Sequence, residues 1–343
     1  MTKATQLAPR RKGVPPSRIA QVGVSLVELM VALVLGLFLI FGAVTIYSKS
    51  RTTYRTTEAV ARLQETARYA FDTIEPDVRM ASYWGLASRA DYIVNRAVPG
   101  DDRPAELDDA AAEIDACGDN FGINLQEYLA GVNGADAAGT WPLACAPFRN
   151  EWREDTDVLV VRRGGEAQPA ALDTGRLYLQ TSRIQGSMFV ATACTDPKSA
   201  ACIPADYSPP ASETRTLEAT VYYISNQSTA RDDVPSLRRK RLVNGSMVDE
   251  EVVSGVEDLQ VQFGVDTNSD TNADTYVDPE TDPTLYGGAI VSATIWLRVR
   301  GEDPEIGFTD DRSYTAGDSA TTPGGNFRRF LISKTIQLRN TRS

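Results

Sequence analysis

The chain has 343 residues, of which 24% are charged and 42% are hydrophobic, and its formal net charge is −11. This composition excludes a disordered chain. The excess of acidic residues argues against a nucleic-acid partner, because phosphate binding needs a basic face. The chain contains no histidine, which excludes Ser-His-Asp and Cys-His catalysis and histidine-ligated metal sites.

The N-terminus combines a basic leader with a long apolar segment. Residues 1–23 carry five basic side chains and no acidic one, and residues 24–47 carry a single charge, Glu28. As a helix, 24 residues extend about 36 Å, enough to cross about 30 Å of hydrocarbon. A secretory signal peptide is the alternative, but its apolar run is shorter and ends in a small-residue cleavage site. We therefore predict a transmembrane helix over 24–47, with the basic leader on the cytoplasmic side.

The next segment, 48–83, has the pattern of an amphipathic helix. Its apolar residues recur at spacings of three and four, and charged residues occupy the other faces. Pro76 lies near the end, where it is expected to kink or end the helix. The pattern predicts one helix from about residue 24 to about residue 82. The apolar positions are Val60, Leu63, Ala67, Ala70, Phe71, Ile74 and Val78.

The four cysteines suit two local disulfides. Their spacing pairs Cys117 with Cys145 across a loop of about 28 residues, worth roughly 3.5 kcal/mol of loop entropy, and Cys194 with Cys202 across a short polar loop. No CxxC spacing is present, which disfavours zinc. Four reduced, buried thiols are the alternative, and an exported domain favours the disulfides.

The remaining sequence predicts an irregular connection followed by a β-rich domain. Residues 84–155 show little periodicity, apart from one short predicted helix at 125–132. Residues 156–343 contain alternating apolar and polar runs typical of antiparallel strands, and Asn-Gly in 243–246 predicts a hairpin. A long helix followed by strands indicates an α+β fold with the helix packed on an antiparallel sheet. The predicted strands are 157–163, 175–182, 187–193, 219–225, 237–243, 257–266, 289–300 and 328–340.

Two polar motifs allow a binding interpretation. The basic run LRRKRL at 237–242 is typical of a solvated edge strand that resists aggregation, and docking of an acidic partner is the alternative. The run DTNSDTNADTYVD at 266–278 places short oxygen ligands at every second position, as in a calcium loop. It lacks the turn glycine and the final glutamate, so a polar hairpin tip is the alternative. The tentative calcium ligands are Asp266, Asn268, Asp270, Asn272 and Asp274.

The six residues from Gly23 to Glu28, GVSLVE, resemble the prepilin peptidase site of type IV pilins and of type II secretion pseudopilins. The resemblance implies cleavage after Gly23 and methylation of the new amine on Val24, although Phe or Met is more usual at that place. It also implies that Glu28, the fifth mature residue, pairs with the N-terminal ammonium of a neighbouring subunit. A glutamate that reaches the lipid headgroups without a partner is the alternative.

Three further stretches resemble the PilW group of minor pilins: residues 61–85, GVEDLQVQFGVDTNSD at 255–270, and the terminal TIQLRN. The resemblance implies a pilin-like fold and a non-enzymatic subunit that primes type IV pilus assembly. It implies as partners the prepilin peptidase, other minor pilins, the major pilin and a tip adhesin. The subunit would stay in the inner membrane, with a periplasmic C-terminal domain, until it joins the pilus at or near its tip.

Two alternatives remain open at this point. A minor pseudopilin of a type II secretion system would have the same N-terminal helix. A membrane-tethered periplasmic enzyme or a calcium-dependent adhesin domain is a candidate from another class, although no nucleophile motif such as GxSxG is present.

Replacing Gly23 tests the processing site. We expect Gly23→Trp to accumulate uncut precursor, because a bulky side chain blocks the peptidase, whereas Gly13→Trp inside the leader leaves processing normal. N-terminal sequencing of the membrane-bound protein measures this, and a mature N-terminus at Val24 in the Gly23 variant would contradict the prediction.

Overall fold

The structure is a computed structural model, and its description covers most of the chain after the leader. The structure describes residues 23–95, 107, 111–191, 212–243, 245–280 and 286–341. The predicted leader, up to residue 22, and the predicted Cys194–Cys202 pair lie outside these ranges.

The first element is the long helix α1, which runs from Leu26 to Arg79 over 54 residues. It ends slightly earlier than predicted. Pro76 lies in its last turn, where the Met80 N–H still donates to the Pro76 carbonyl, at 3.0 Å, so the proline does not break the helix. The chain divides into two compact units, Met1–Thr57 and Glu58–Ser343. In the first unit α1 is long and apolar enough to span a membrane.

In the second unit, one face of α1 enters the main hydrophobic core. Six of the seven predicted apolar positions are buried, and Val60 is half-buried. They share this core with Tyr222, Ile224, Leu259 and Ile295. Burying each large aliphatic or aromatic side chain contributes about 1.5–3 kcal/mol. The helix-on-sheet α+β fold is therefore confirmed. The buried six are Leu63, Ala67, Ala70, Phe71, Ile74 and Val78.

The larger sheet has eight strands in the order β1-β5-β4-β6-β3-β2, and β7 pairs with both β6 and β8. The strands are β1 (Ile93–Val94), β2 (Leu129–Val132), β3 (Val158–Gly164), β4 (Leu177–Thr181), β5 (Gly186–Val190), β6 (Glu213–Ser225), β7 (Ser236–Val243) and β8 (Ser246–Ser254).

The smaller sheet has four strands in the order β10-β9-β11-β14, and β12 and β13 form a separate hairpin. A short helix, α2, spans Ala111–Ile114. The strands are β9 (Val256–Asp266), β10 (Thr275–Val277), β11 (Ala289–Arg300), β12 (Tyr314–Ala316), β13 (Ser319–Thr321) and β14 (Arg329–Gln337).

The sheets differ from the prediction in three ways. The strands that pack with α1 form two sheets where one antiparallel sheet was predicted. The larger sheet is mixed because β1 runs parallel to β5. The region 84–155 is not wholly irregular. Its predicted helix at 125–132 is wrong, because Leu129–Val132 forms β2 and pairs with Val158–Val161 of β3. Four residues are too few for helical periodicity to compete with pairing to a buried neighbouring strand.

The basic strand β7 is not a solvated edge. It lies between β6 and β8, and Arg238 and Lys240 are only 2% and 4% exposed. Asp249 of β8 pairs with Arg238 Nε at 2.7 Å and with Lys240 Nζ at 3.0 Å. Buried charges require such partners because of their desolvation cost. The basic run is thus neutralised by the acidic run of the next strand, across the predicted hairpin.

A buried polar group holds the C-terminal end of α1 on the larger sheet. Asp77 Oδ1 accepts hydrogen bonds from Arg163 Nε and Nη2, at 3.1 and 2.9 Å, and its Oδ2 accepts from the Tyr222 hydroxyl at 2.6 Å. Burial raises the pKa of Tyr222, so the phenol remains a donor. These bonds tie α1 to β3 and β6.

Asp157, directly before β3, links the two sheets. Its carboxylate accepts the backbone N–H of Gly134 at 2.9 Å and that of Val261 in β9 at 2.7 Å, and its own N–H donates to the Leu259 carbonyl at 2.9 Å. Burial raises the pKa of Asp157 to about 7, although both backbone hydrogen bonds oppose the shift.

This raised pKa predicts a pH-dependent stability. Folded Asp157 keeps its proton up to about pH 7, whereas an unfolded aspartate loses it near pH 4. The folded state therefore binds more protons in this window, and the free energy of unfolding falls as pH rises, by up to about 1.4 kcal/mol per pH unit. We expect urea denaturation of the full chain in detergent to show this slope. Asp157→Asn should reduce this change of the free energy of unfolding with pH, and Asp119→Asn, at an exposed position, should leave it as it is. An equal pH dependence in both variants and in the unmodified chain would contradict the raised pKa of Asp157.

Candidate assembly site

The N-terminal site begins with the residues before α1. Ser25 caps the helix: its Oγ accepts the Glu28 N–H at 3.2 Å, and its carbonyl accepts the Leu29 N–H at 3.1 Å. The pattern Ser-x-x-Glu is a helix start signal because the serine oxygen satisfies a free backbone donor. A Cβ added at Gly23 would meet nothing within 4 Å. The local packing therefore does not require glycine there, and the peptidase site at Gly23 stays a prediction.

Glu28 lies in the first turn of α1, where the helix dipole favours a negative charge. Its side chain is exposed among exposed apolar neighbours, Val27, Leu29 and Met30. Within the part of the chain that the structure describes, the Glu28 carboxylate has no ion-pair partner. Membrane insertion of an unpaired carboxylate costs on the order of 2.5 kcal/mol or more at the bilayer centre and less near the surface. The site can therefore accept a cation from another molecule.

The rest of this helical segment suits a lipid environment. Large apolar side chains from Leu26 to Tyr47 are exposed on all sides. The Thr45 hydroxyl donates to the Phe41 carbonyl at 2.8 Å, and this internal bond satisfies a group that lipid cannot. The segment has the chemistry of a membrane anchor that can also pack against other apolar helices.

The structure contains the Cys117–Cys145 disulfide, with the two Cα atoms 4.5 Å apart. Trp141, inside the disulfide loop, donates its indole N–H to the Cys145 carbonyl at 2.7 Å and packs edge-on against Tyr223 of β6 at 5.0 Å. The loop is thus fastened to the larger sheet. Sequence reasoning did not single out Trp141, although an aromatic residue next to a disulfide is a recognisable packing signal.

The predicted calcium loop forms the connection between β9 and β10, and Asp266 organises it. Asp266 Oδ1 accepts the backbone N–H groups of Asn268, Ser269 and Asp270, at 3.2, 2.7 and 3.3 Å, and Oδ2 accepts that of Thr271 at 2.7 Å. These bonds close the loop without an ion.

The other predicted ligands also bond within the loop. Asp274 Oδ2 accepts from the N–H and hydroxyl of Thr267, both at 2.8 Å, and its Oδ1 accepts from the Asn268 amide at 2.9 Å. These bonds lower the pKa of Asp274. Asp270 accepts the Asn272 N–H at 2.8 Å. No group of three or more carboxylates, cysteines or histidines that could hold a metal occurs among the described residues, so the calcium site stays a prediction.

The loop geometry predicts a role for Asp266 that is independent of calcium. We expect Asp266→Ala to lower the free energy of unfolding by about 1–3 kcal/mol in EDTA, because several backbone donors lose their acceptor. The matched variant Asp270→Ala, at an exposed position, should have a smaller effect. Denaturant unfolding measures both, and equal stability of Asp266→Ala and the unmodified chain would contradict the geometry.

Calorimetric titration of the unmodified chain with Ca²⁺ tests the ion itself. A calcium site predicts binding heat and a higher melting temperature, both lost in Asp270→Ala. Neither effect in the unmodified chain would leave the loop as a polar connection.

Comparison with known proteins gives one family match over part of the chain. Residues 221–340 match the family model described as Type IV Pilus-assembly protein W. Among solved structures, the chain is similar to a type IV-like pilin from Thermus thermophilus, with 11% sequence identity, 55% of this chain and 79% of that chain covered, and a TM-score of 0.28. No curated protein matches this chain.

The matched residues include all of β7 to β14 and two of the stretches that suggested the family from the sequence, GVEDLQVQFGVDTNSD and TIQLRN. The resemblance of this chain to the PilW family of type IV pilus-assembly proteins is therefore confirmed over residues 221–340.

Proposed function

We propose that the chain is a minor pilin of the type IV pilus, which primes pilus assembly and stays at or near the tip. The proposal rests on one conjunction: residues 221–340 match a pilus-assembly family, and the same chain has an exposed apolar segment, 24–47, whose single carboxylate is Glu28. The family match argues for the pilus, and the helix supplies the means of assembly.

Assembly would start with processing by the prepilin peptidase. Cleavage after Gly23 exposes an amine on Val24, two residues before α1 begins. Methylation keeps this amine basic, so it can act as the cation for a carboxylate of a neighbouring subunit. Glu28 would accept the amine of an incoming subunit, so that the helices align in one register while their apolar side chains pack together. A charge pair in an apolar surrounding favours one register because misaligned pairs leave both charges unpaired.

The globular unit would carry the lateral contacts of the subunit. Its partners would be other minor pilins, the major pilin and a tip adhesin, and it would face the periplasm while the helix remains in the inner membrane. The buried ion pairs and the Cys117–Cys145 disulfide suit a rigid structural module. We propose no catalytic role for it.

Deletion of the gene tests whether the chain acts in the type IV pilus or in a type II secretion system. A pseudopilin of the secretion system would have the same N-terminal helix. The minor-pilin function predicts loss of surface pili and of twitching motility, with normal levels of secreted enzymes. Normal pili together with lost secretion would overturn the proposal and establish the pseudopilin. Complementation with the unmodified gene must restore the phenotype.

Substitution of Glu28 tests the mechanism. We expect Glu28→Ala to insert into the membrane normally but to lose most pilus assembly, because a charge-assisted interaction worth about 1.5–3 kcal/mol disappears. Glu58→Ala provides the control, since Glu58 is exposed on the same helix and, among the described residues, forms its ion pair with Arg62 one turn away, at 2.7 Å. Immunoblots of membrane and sheared-pilus fractions measure both steps, and wild-type piliation by Glu28→Ala would contradict the pairing.

A further inference from the structure

The strand β14 presents one free edge of the smaller sheet. It pairs with β11 through nine consecutive residue pairs without a bulge. The Leu338 N–H donates to the Val291 carbonyl, and the Gly301 N–H donates to the Arg328 carbonyl, both at 2.9 Å. Because bonding direction alternates along an antiparallel strand, even-numbered residues of β14 bond to β11 and odd-numbered residues point their backbone groups to the opposite side.

Both ends of this outer edge are occupied. Arg312 Nη2 donates to the Arg329 carbonyl at 3.0 Å, and the Arg339 N–H donates to the Arg79 carbonyl of α1 at 3.4 Å. Between them, the outward backbone groups of Leu331, Ser333, Thr335 and Gln337 have no hydrogen-bond partner in the described parts of the chain. Of these four residues, Ser333, Thr335 and Gln337 are exposed. Between Arg329 and Arg339, this edge therefore offers backbone donors and acceptors that the described residues leave unpaired.

The features that commonly protect a free edge are missing here or engaged elsewhere. Natural edges are blocked by outward charges, prolines or bulges. Lys334 pairs with Glu75 of α1, and Arg329 pairs with Glu257 at 2.6 Å, so the charged side chains of β14 already have partners in the fold. The other nine-residue edge strand, β8, differs because its pairing with β7 has a bulge at Leu237.

A cavity of about 400 Å³ lies at the Gln337 end of the edge. Its lining includes two arginines, Arg79 and Arg339. Arg79 shares Glu75 with Lys334, and Arg339 has no ion-pair partner among the described residues. This cavity is basic in a chain whose net charge is −11, and its volume is more than sufficient for one acidic side chain. The lining residues are Arg79, Thr335, Gln337, Leu338 and Arg339.

We propose that β14 is a docking edge for an extended segment of a different protein, which adds a fifth strand to the smaller sheet and places an aspartate or glutamate side chain between Arg79 and Arg339. Backbone hydrogen bonds to the four free residues would supply sequence-independent affinity, and the basic cavity would supply specificity. The inference does not depend on the proposed function, because any partner with this chemistry would fit.

Charge favours a different protein over a second copy of this chain. The strand RFLISKTIQ contains no acidic residue, so two β14 edges paired with each other would offer no carboxylate to either cavity. The acidic residues of the chain's other long edge, Asp249, Glu250 and Glu251 of β8, already pair with basic side chains of β7.

Site-specific photo-crosslinking in the native cell tests the docking edge. Benzoylphenylalanine replaces Gln337 in the full chain, and mass spectrometry identifies the crosslinked segment. We expect a segment of another protein with an aspartate or glutamate within two residues of the crosslink. A crosslink to a second copy, to another segment of the same chain, or to a segment without an acidic residue would overturn the proposal, as would no crosslink at all.

Matched variants show whether the contact is strand addition. Ser333→Pro removes an outward N–H and leaves the ladder to β11 intact, because proline is tolerated where the N–H faces away from the sheet; we expect it to abolish the crosslink. Ser333→Thr should retain the crosslink, and Arg339→Glu should lose it. The Ser333→Pro protein must melt at the same temperature as the unmodified chain; if it does not, methylation of the Ser333 nitrogen by semisynthesis replaces it. A crosslink that persists after the N–H is removed would overturn the proposal.

Discussion

The structure of the globular unit depends on one stripe of α1. Residues from Leu63 to Val78 bury an apolar face, and their neighbours in the core come from both sheets: Tyr222 and Ile224 from the larger, Leu259 and Ile295 from the smaller. The helix is therefore a core element common to the two sheets. The polar contact of Asp77 with Arg163 and Tyr222 then favours one rotation of the helix, because a rotated helix would take the buried Asp77 carboxylate away from both partners.

Buried ion pairs recur in the rest of the unit, and several join elements distant in the chain. Glu257 of β9 pairs with Arg298 of β11 at 2.8 Å and with Arg329 of β14 at 2.6 Å, and Arg329 also contacts Asp310 at 3.2 Å. Such groups add little net stability compared with apolar packing, but they penalise wrong registers strongly. A chain with long antiparallel strands has many near-alternative registers, and these charges select one.

The two proposed binding features have opposite origins. The N-terminal site is local: Ser25 caps the helix, Glu28 follows three residues later, and an apolar run continues, so each part is visible in the order of residues. The free edge of β14 is not local, because it depends on which strand lies at the border of a sheet and on where Arg79, Arg312 and Arg339 close its ends. The basic strand β7 shows the same limit, since its charges suggested a solvated edge and instead lie buried against Asp249.

The sequence by itself determined the helix, its long apolar half, its buried stripe, the α+β class, the β7–β8 hairpin and the family resemblance. All of these follow from short-range periodicity, composition or local motifs, which the chain expresses without knowledge of its tertiary contacts. Only the tertiary structure decided that the strands form two sheets, that Leu129–Val132 is a strand, and that the oxygens of the Asp266 loop are directed at its own backbone. The physical reason is that strand pairing and charge burial are set by partners far apart in sequence, whose free energies outweigh local propensity.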